Sequence, residues 1–260
     1  MKNLINGLFA TAHDHLFKWM VGNGMVLCAI PSLTDLQNYS VNRAGAEGIR
    51  QSLFDHQLYP TAGLVQMNFF VLPIGQGVAT ALGAAVGSQK TINDTNMEVQ
   101  GMLPAGKSFL ITSIEVPFYA GLSAAASTYT PAVPSVFAAA AAAAVAAQVN
   151  DVATFYQAGS LRLFIGSKVY LEEAPLMRFP PKTQLSLDVA IGSNSGTAGE
   201  VAAISGKIAG RPYMLEPPIY LQNNQNFLVQ LNYPAVVATP SGFNGRVGVY
   251  LDGYLYRNSQ

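Results

Sequence analysis

Phe227-Leu228-Val229-Gln230-Leu231-Asn232-Tyr233 alternates, with Phe227, Val229, Leu231 and Tyr233 on one side and Leu228, Gln230 and Asn232 on the other. Successive side chains of a strand point to opposite faces, so this period of two predicts a strand with one face in a core and the other toward water. The same rule sets Leu185, Leu187, Val189 and Ile191 against Ser186, Asp188 and Ala190. It sets Val247, Val249, Leu251 and Leu255 against Arg246, Tyr250, Asp252, Tyr254 and Tyr256. Leu161, Leu163, Ile165, Val169 and Leu171 repeat the pattern, and Leu110, Ile114, Val116 and Phe118 follow it less cleanly. With residues 64–72, 97–103 and 200–208 these make about eight strands separated by Gly, Pro and Asn turns, the count of a single jelly roll; a double one needs about twice as many. The expected fold class is therefore mainly β, an antiparallel β-sandwich of the jelly-roll kind, over residues 61–260.

Upstream the period is helical. Leu4, Ile5, Leu8, Phe9, Ala12, Leu16 and Met20 recur at helical spacing, and Ile49, Leu53 and Phe54 place a second helix at about Asn42 to Tyr59. Residues 1–60 are thus expected to form an N-terminal helical arm, broken at Gly22-Asn23-Gly24 and at Pro31. Residues 120–160 read as an insertion in the barrel: Pro131, Pro134 and the alanine run Ala138 to Ala144 form a loop feeding a helix at Gln148 to Gln157. Alanine favours helix but buries little area, so such a helix is expected to pack closely on something, a neighbouring subunit for example. Gly75 to Gly87 reads as a flexible loop of small residues.

Composition narrows the function. Lys plus Arg number 14 and Asp plus Glu number 14, and charged residues are 11% of the chain, well below the roughly 25% of an ordinary soluble domain. Sparse, balanced charge favours association, so much of the surface is expected to lie against other subunits, and a basic nucleic-acid face is disfavoured. The single cysteine, Cys28, sits in the apolar run Met25 to Ile30 and leaves no internal disulfide or thiolate cluster. Ala10-Thr11-Ala12 imitates a signal-peptide cleavage site, but Asn6 and Gly7 interrupt the apolar stretch before it. Val136 to Ala147 is too short and too rich in alanine to span a bilayer.

Gly101-Met-Leu-Pro-Ala-Gly106-Lys107-Ser108 fits a phosphate-binding loop letter for letter, with Val247 to Asp252 as a magnesium-holding strand. That chemistry needs a helix N-terminus aimed at phosphate. Here Phe109-Leu-Ile-Thr-Ser-Ile-Glu-Val-Pro117 follows, β-branched and stopped by proline, so Pro104-Ala105-Gly106 is expected as a turn between strands. His13, His15 and His56 all fall in the expected arm, which leaves the barrel strands without metal ligands. Glu115, Glu172, Glu173, Asp188, Glu200, Glu216 and Asp252 are scattered; a glycosidase pair such as Glu115 with Asp252 stays open, although Asp252-Gly253 reads as a hairpin turn. Tyr250, Tyr254 and Tyr256 suit either sugar stacking or a protein interface. No catalytic, cofactor-binding or metal residue is expected.

Arg43-Ala-Gly-Ala-Glu-Gly-Ile-Arg50, Asp94-Thr-Asn-Met97, Leu103-Pro-Ala-Gly106 and Gly248-Val-Tyr-Leu-Asp-Gly-Tyr-Leu-Tyr-Arg257 together resemble structural proteins of tailless icosahedral bacteriophages with jelly-roll coats. The resemblance covers about residues 43–118 and the last strands. It implies a major capsid subunit whose copies group into capsomers in the virion, and it carries over no catalytic residue. The expected partners are copies of the chain itself, other virion proteins and a lipid layer under the shell, with no sequence-specific nucleic acid. The alternative is a phage decoration protein or a receptor- or carbohydrate-binding jelly roll.

Overall fold

The computed structural model describes residues 46–81, 83–85, 87–122, 150–182, 185–192, 201–208 and 210–258. The chain divides into two units, 1–46 and 47–260, and the described residues after Ala46 all belong to the second. Its strands are β1 (Ala46–Tyr59), β2 (Gln66–Phe69), β3 (Lys107–Glu115), β4 (Phe118–Leu122), β5 (Ser160–Ile165), β6 (Lys168–Glu173), β7 (Leu185–Gly192), β8 (Val201–Ile208), β9 (Tyr213–Leu221), β10 (Phe227–Asn232) and β11 (Asn244–Asn258). Residues 150–158 form a helix, α1.

Two antiparallel sheets hold the unit together. One has the order β1-β11-β3-β9, with β4 also on β11; the other runs β2-β10-β5-β6. The chain crosses from β1 to β2, back to β3 and β4, over to β5 and β6, back to β9, over to β10 and back to β11. That repeated switching between two facing sheets is the winding of a jelly roll. Phe109, Ile111, Val247, Val249 and Leu251 from the first sheet join Phe69, Leu161, Leu163, Val229 and Leu231 from the second in one buried cluster. Each such side chain contributes about 1.5–3 kcal/mol of burial. Phe155 and Tyr156 of α1 enter the same core; Phe155 stacks on Phe118 at 4.4 Å, and the Tyr156 hydroxyl donates to the Val116 carbonyl at 2.7 Å.

Several elements differ from the sequence expectation. Residues 46–59 are strand β1, a neighbour of β11, and not a helix. Ladder pairing and burial of Leu53, Asp55, His56 and Tyr59 override the helical spacing of Ile49, Leu53 and Phe54. Residues 97–103 carry a single bridge, Val99 to Met102, and not a strand. β7 and β8 are strands as the alternation predicts, with Val189 opposite Ile204 and Asp188 opposite Ser205, but they form a two-stranded ribbon belonging to neither main sheet. β9 was absent from the sequence reading because it contains Pro217 and Pro218. Both lie where β9 bulges between Met214, opposite Ser113, and Ile219, opposite Ile111. An edge strand tolerates prolines there. The helix expected at Gln148 to Gln157 is realised in α1. The alanine run and the first arm helix lie outside the described residues.

The long loop after β2 is tied to β1 through a buried ion pair. Lys90 Nζ donates to Asp55 Oδ1 at 2.6 Å and the Phe70 amide to Asp55 Oδ2 at 2.8 Å, with Asp55 fully buried. Phe70 has a φ of 68°, a conformation that costs a non-glycine residue energy, and the bond to Asp55 holds it there. Asp55→Ala should destabilise the unit by about 3–5 kcal/mol, because it strands a buried ammonium. The double change Asp55→Leu with Lys90→Met should recover much of that loss in urea unfolding. Equal losses from the single and double variants would show that the pair does not act as a pair.

Candidate functional site

Charged and aromatic groups converge on the outward face of the five-stranded sheet. In β3, Thr112 is an extra residue: Ser113 pairs with Asp252 and Ile111 with Gly253. Such a bulge re-aims the side chains beside it. It places Asp252 beside Ser113 and diagonal to Glu115, whose cross-strand partner is Tyr250. Asp252-Gly253 therefore lies mid-strand in β11, opposite the bulge, and is not the hairpin turn its dipeptide suggested.

Lys182 closes the cluster. Its Nζ lies 3.0 Å from Glu115 Oε1 and is bonded to Asp252 Oδ2, while its backbone amide donates to Glu115 Oε2 at 2.7 Å. Ser52 Oγ donates to Asp252 Oδ1. Burial pushes the Glu115 carboxyl above its ordinary range, and the hydrogen bond with Asp252 adds to the rise. Burial works against Asp252 too, but hydrogen bonds from Glu115, Lys182 and Ser52 hold its carboxyl below the usual range. Both carboxyls are bonded to the one Lys182 ammonium. The sequence pairing of Glu115 with Asp252 is thus real, yet a glycosidase holds its carboxyls about 5–9.5 Å apart around a substrate, and here both are engaged by Lys182.

Next to this cluster, Tyr250 stacks on Phe54 at 5.6 Å, and its hydroxyl reaches His56 Nε2 at 3.2 Å. His56 Nδ1 faces the Asp94 carbonyl at 2.9 Å. The carbonyl can only accept, so the proton sits on Nδ1 and Nε2 accepts from Tyr250. Burial, and after it the positive charge of Arg246, pushes the His56 pKa down to about 4. Arg246 is itself held by Thr80 Oγ1 at 3.2 Å, the Asn93 carbonyl at 2.7 Å and Asp94 at 3.7 Å. Tyr250 is therefore engaged inside the fold, whereas Tyr254 stands exposed.

The phosphate-loop match resolves as a turn. The Lys107 amide bonds to the Pro104 carbonyl at 3.1 Å, Gly106 has a φ of 79°, and β3 begins at Lys107 where a helix would be needed. Lys107 pairs with Glu98 at 2.6 Å, and its cross-strand neighbour is Arg257, whereas Asp252 is the neighbour of Ser113. Glu172 and Glu173 end β6, paired with Arg162 and Arg178. His13, His15, Cys28 and Glu200 lie outside the described residues. Sequence reasoning did not single out Lys182, Asp55 or Lys90, since one lysine after two prolines carries no spacing signal.

Compared with protein-family models, curated proteins and solved structures, the chain has no match. Its function is therefore read from its own geometry.

Two outcomes follow from this geometry. The unfolded chain takes up a proton on His56 between pH 6.5 and about 4 while the folded chain does not, so stability falls as pH drops through that window, by at most about 3 kcal/mol. His56→Gln should flatten the difference in urea midpoints between pH 7 and pH 4.5, and an unchanged acid slope would refute the assignment. Lys107→Ala should change stability by less than about 1 kcal/mol, as expected for a partly exposed ion pair. Saturable ATP binding by the parent, lost in that variant, would restore the phosphate-loop reading.

Proposed function

We propose that the chain is a viral coat subunit, a major capsid protein that assembles with copies of itself into an icosahedral shell. One observation carries this reading: large apolar side chains stand exposed on separate flanks of the barrel. Val169 and Tyr170 are 47% and 52% exposed on β6, at the free edge of the four-stranded sheet. Tyr119, Met214 and Tyr254 are exposed on strands of the five-stranded sheet, and Ile74, Val78 and Ile92 on the loop between β2 and β3. A monomer scatters such residues singly, and a closed dimer needs one self-complementary patch. A subunit surrounded by neighbours needs several.

The charge balance supports the same reading, since a surface with charged residues at 11% and no net charge resists association weakly. The jelly-roll winding is compatible with it but is shared by lectin and enzyme domains, so the fold alone does not decide. Other virion proteins, and lipid under the shell, remain the proposed further partners.

Sedimentation and negative-stain microscopy test the proposal. The purified chain should form large particles, alone or with scaffolding partners. The pair Val169→Glu with Tyr170→Glu should abolish them while leaving monomer stability within about 0.5 kcal/mol of the parent, as surface changes usually do. A chain that stays a small oligomer under every condition would refute the coat reading and favour a binding module.

A further inference from the structure

We propose that the open edge of β1, from Glu47 to Gln51, docks a second copy of the chain, the two strands pairing antiparallel about a two-fold axis at Ile49. β1 is an outer strand of the five-stranded sheet, with β11 on one side. On its other side the Phe54 amide donates to Asn96 Oδ1 at 2.9 Å. The Phe54 carbonyl accepts from the Asn96 amide at 3.2 Å, and the Ser52 carbonyl from Asn96 Nδ2 at 2.7 Å. The His56 amide donates to the Asp94 carbonyl at 2.7 Å. Residues 94–96 thus block strand addition from Ser52 onward.

The same bonds show which backbone groups lie bare. Backbone groups of successive strand residues point to opposite edges, and those of Ser52, Phe54 and His56 point away from β11. Gly48 and Arg50 therefore point the same way. Among the described residues none is bonded to their N–H or C=O groups from that side, and Glu47, Gly48, Arg50 and Gln51 are exposed. A bare edge of this kind is a template for another strand.

The stretch complements itself. Ile49 is its middle, so full overlap with the same stretch of a second copy sets Ile49 on the partner's Ile49 and Gly48 on the partner's Arg50. Both members of the latter pair offer outward N–H and C=O groups, and facing each other they exchange two hydrogen bonds. Glu47 meets the partner's Gln51, and no like charges stand directly opposite. On β11, Glu47 lies against Arg257, Gly48 against Tyr256, Ser52 against Asp252 and Phe54 against Tyr250, which sets Arg50 opposite Tyr254. Because Gly48 has no side chain, Arg50 can reach over the partner's Gly48 to the ring of the partner's Tyr256. A slide of two residues toward Asn96 would instead set Arg50 on the partner's Arg50. The pairing is isologous, so it closes at two copies. A ladder this short is weak alone, and the proposal rests on the coat reading for the further contacts that hold it.

Disulfide trapping of the full chain in a Cys28→Ser background tests the contact. Facing Ile49 residues form a non-hydrogen-bonded pair with Cα atoms about 4.5 Å apart, within disulfide reach. Ile49→Cys should therefore give a covalent dimer under mild oxidation. Gln51→Cys should not, since the two copies of that residue stand about 13 Å apart. Arg50→Pro removes an outward N–H without touching the bonds to β11, and added to Ile49→Cys it should cut the yield roughly tenfold. Should that proline variant fail to fold by circular dichroism, the comparison of positions 49 and 51 decides alone. No dimer from Ile49→Cys, equal linking at position 51, or a yield untouched by a folded Arg50→Pro would each overturn the proposal. Particles without the Ile49→Cys link would sink this contact and spare the coat reading; the link without particles would do the reverse.

Discussion

At the middle of the five-stranded sheet two backbones touch: a β-carbon on Gly253 would lie 1.7 Å from the Leu110 carbonyl oxygen. Only glycine fits, and the bulge at Thr112 exists because that approach is allowed. The Thr112 hydroxyl closes it by donating to the Asp252 carbonyl at 3.1 Å. Much depends on this contact. It turns Asp252 to the outward face beside Ser113 and within reach of Lys182. Lys182 in turn stands at the root of the β7–β8 ribbon, where Gly210 packs so closely on Pro181 that a β-carbon would lie 1.8 Å from its carbonyl oxygen. One backbone approach in the central strand pair thus positions the carboxylates that Lys182 bridges.

The same economy governs charge. A chain with 14 acidic and 14 basic residues spends several of them inside the fold. Asp55 with Lys90 ties the loop after β2 to β1, and Asp94 gathers Thr80, Thr91 and Arg246. Burial works to raise the Asp94 carboxyl, yet the bonds from Thr80 and Thr91 and the Arg246 charge hold it below its usual range. Groups paired in this way specify geometry more than they add stability, because desolvation offsets much of their attraction. What they leave outside is a surface with few charges, on which aromatic and aliphatic residues take a larger share.

Strands whose apolar residues alternate cleanly were legible in the sequence. Phe227 to Tyr233 and Leu161 to Ile165 appear as β10 and β5 with the faces the alternation predicts. β1 was not legible, because it buries Asp55 on one face and His56 on the other; burial on both faces, with polar side chains among the buried, erases the period of two. β9 was hidden by its prolines, which pattern reading treats as breaks although an edge strand can bulge around them. Alternation predicted β7 correctly but could not say which sheet it joins, since periodicity reports a face and not a partner. The pairing of Glu115 with Asp252 was visible only as two carboxylates on strands. The bulge that brings them together depends on a one-residue register shift that composition does not encode.

The free edge of the four-stranded sheet shows how exposed apolar residues can serve association without inviting uncontrolled growth. β6 is an edge strand, and an unblocked edge templates open-ended strand addition. Here the register slips: Leu163 faces Leu171 and Phe164 faces Val169, so Tyr170 is an unpaired extra residue. A bulge at an edge bends the strand and breaks the row of backbone donors and acceptors that an incoming strand would need. Val169 and Tyr170 nevertheless stay exposed, so a neighbour on this edge would meet side chains and not a ladder. Side-chain contacts fix an angle between subunits, and a fixed angle is what lets an assembly close; ladder extension repeats along one axis and gives fibres. Under the coat reading, the bulge at Tyr170 biases the subunit toward closed particles.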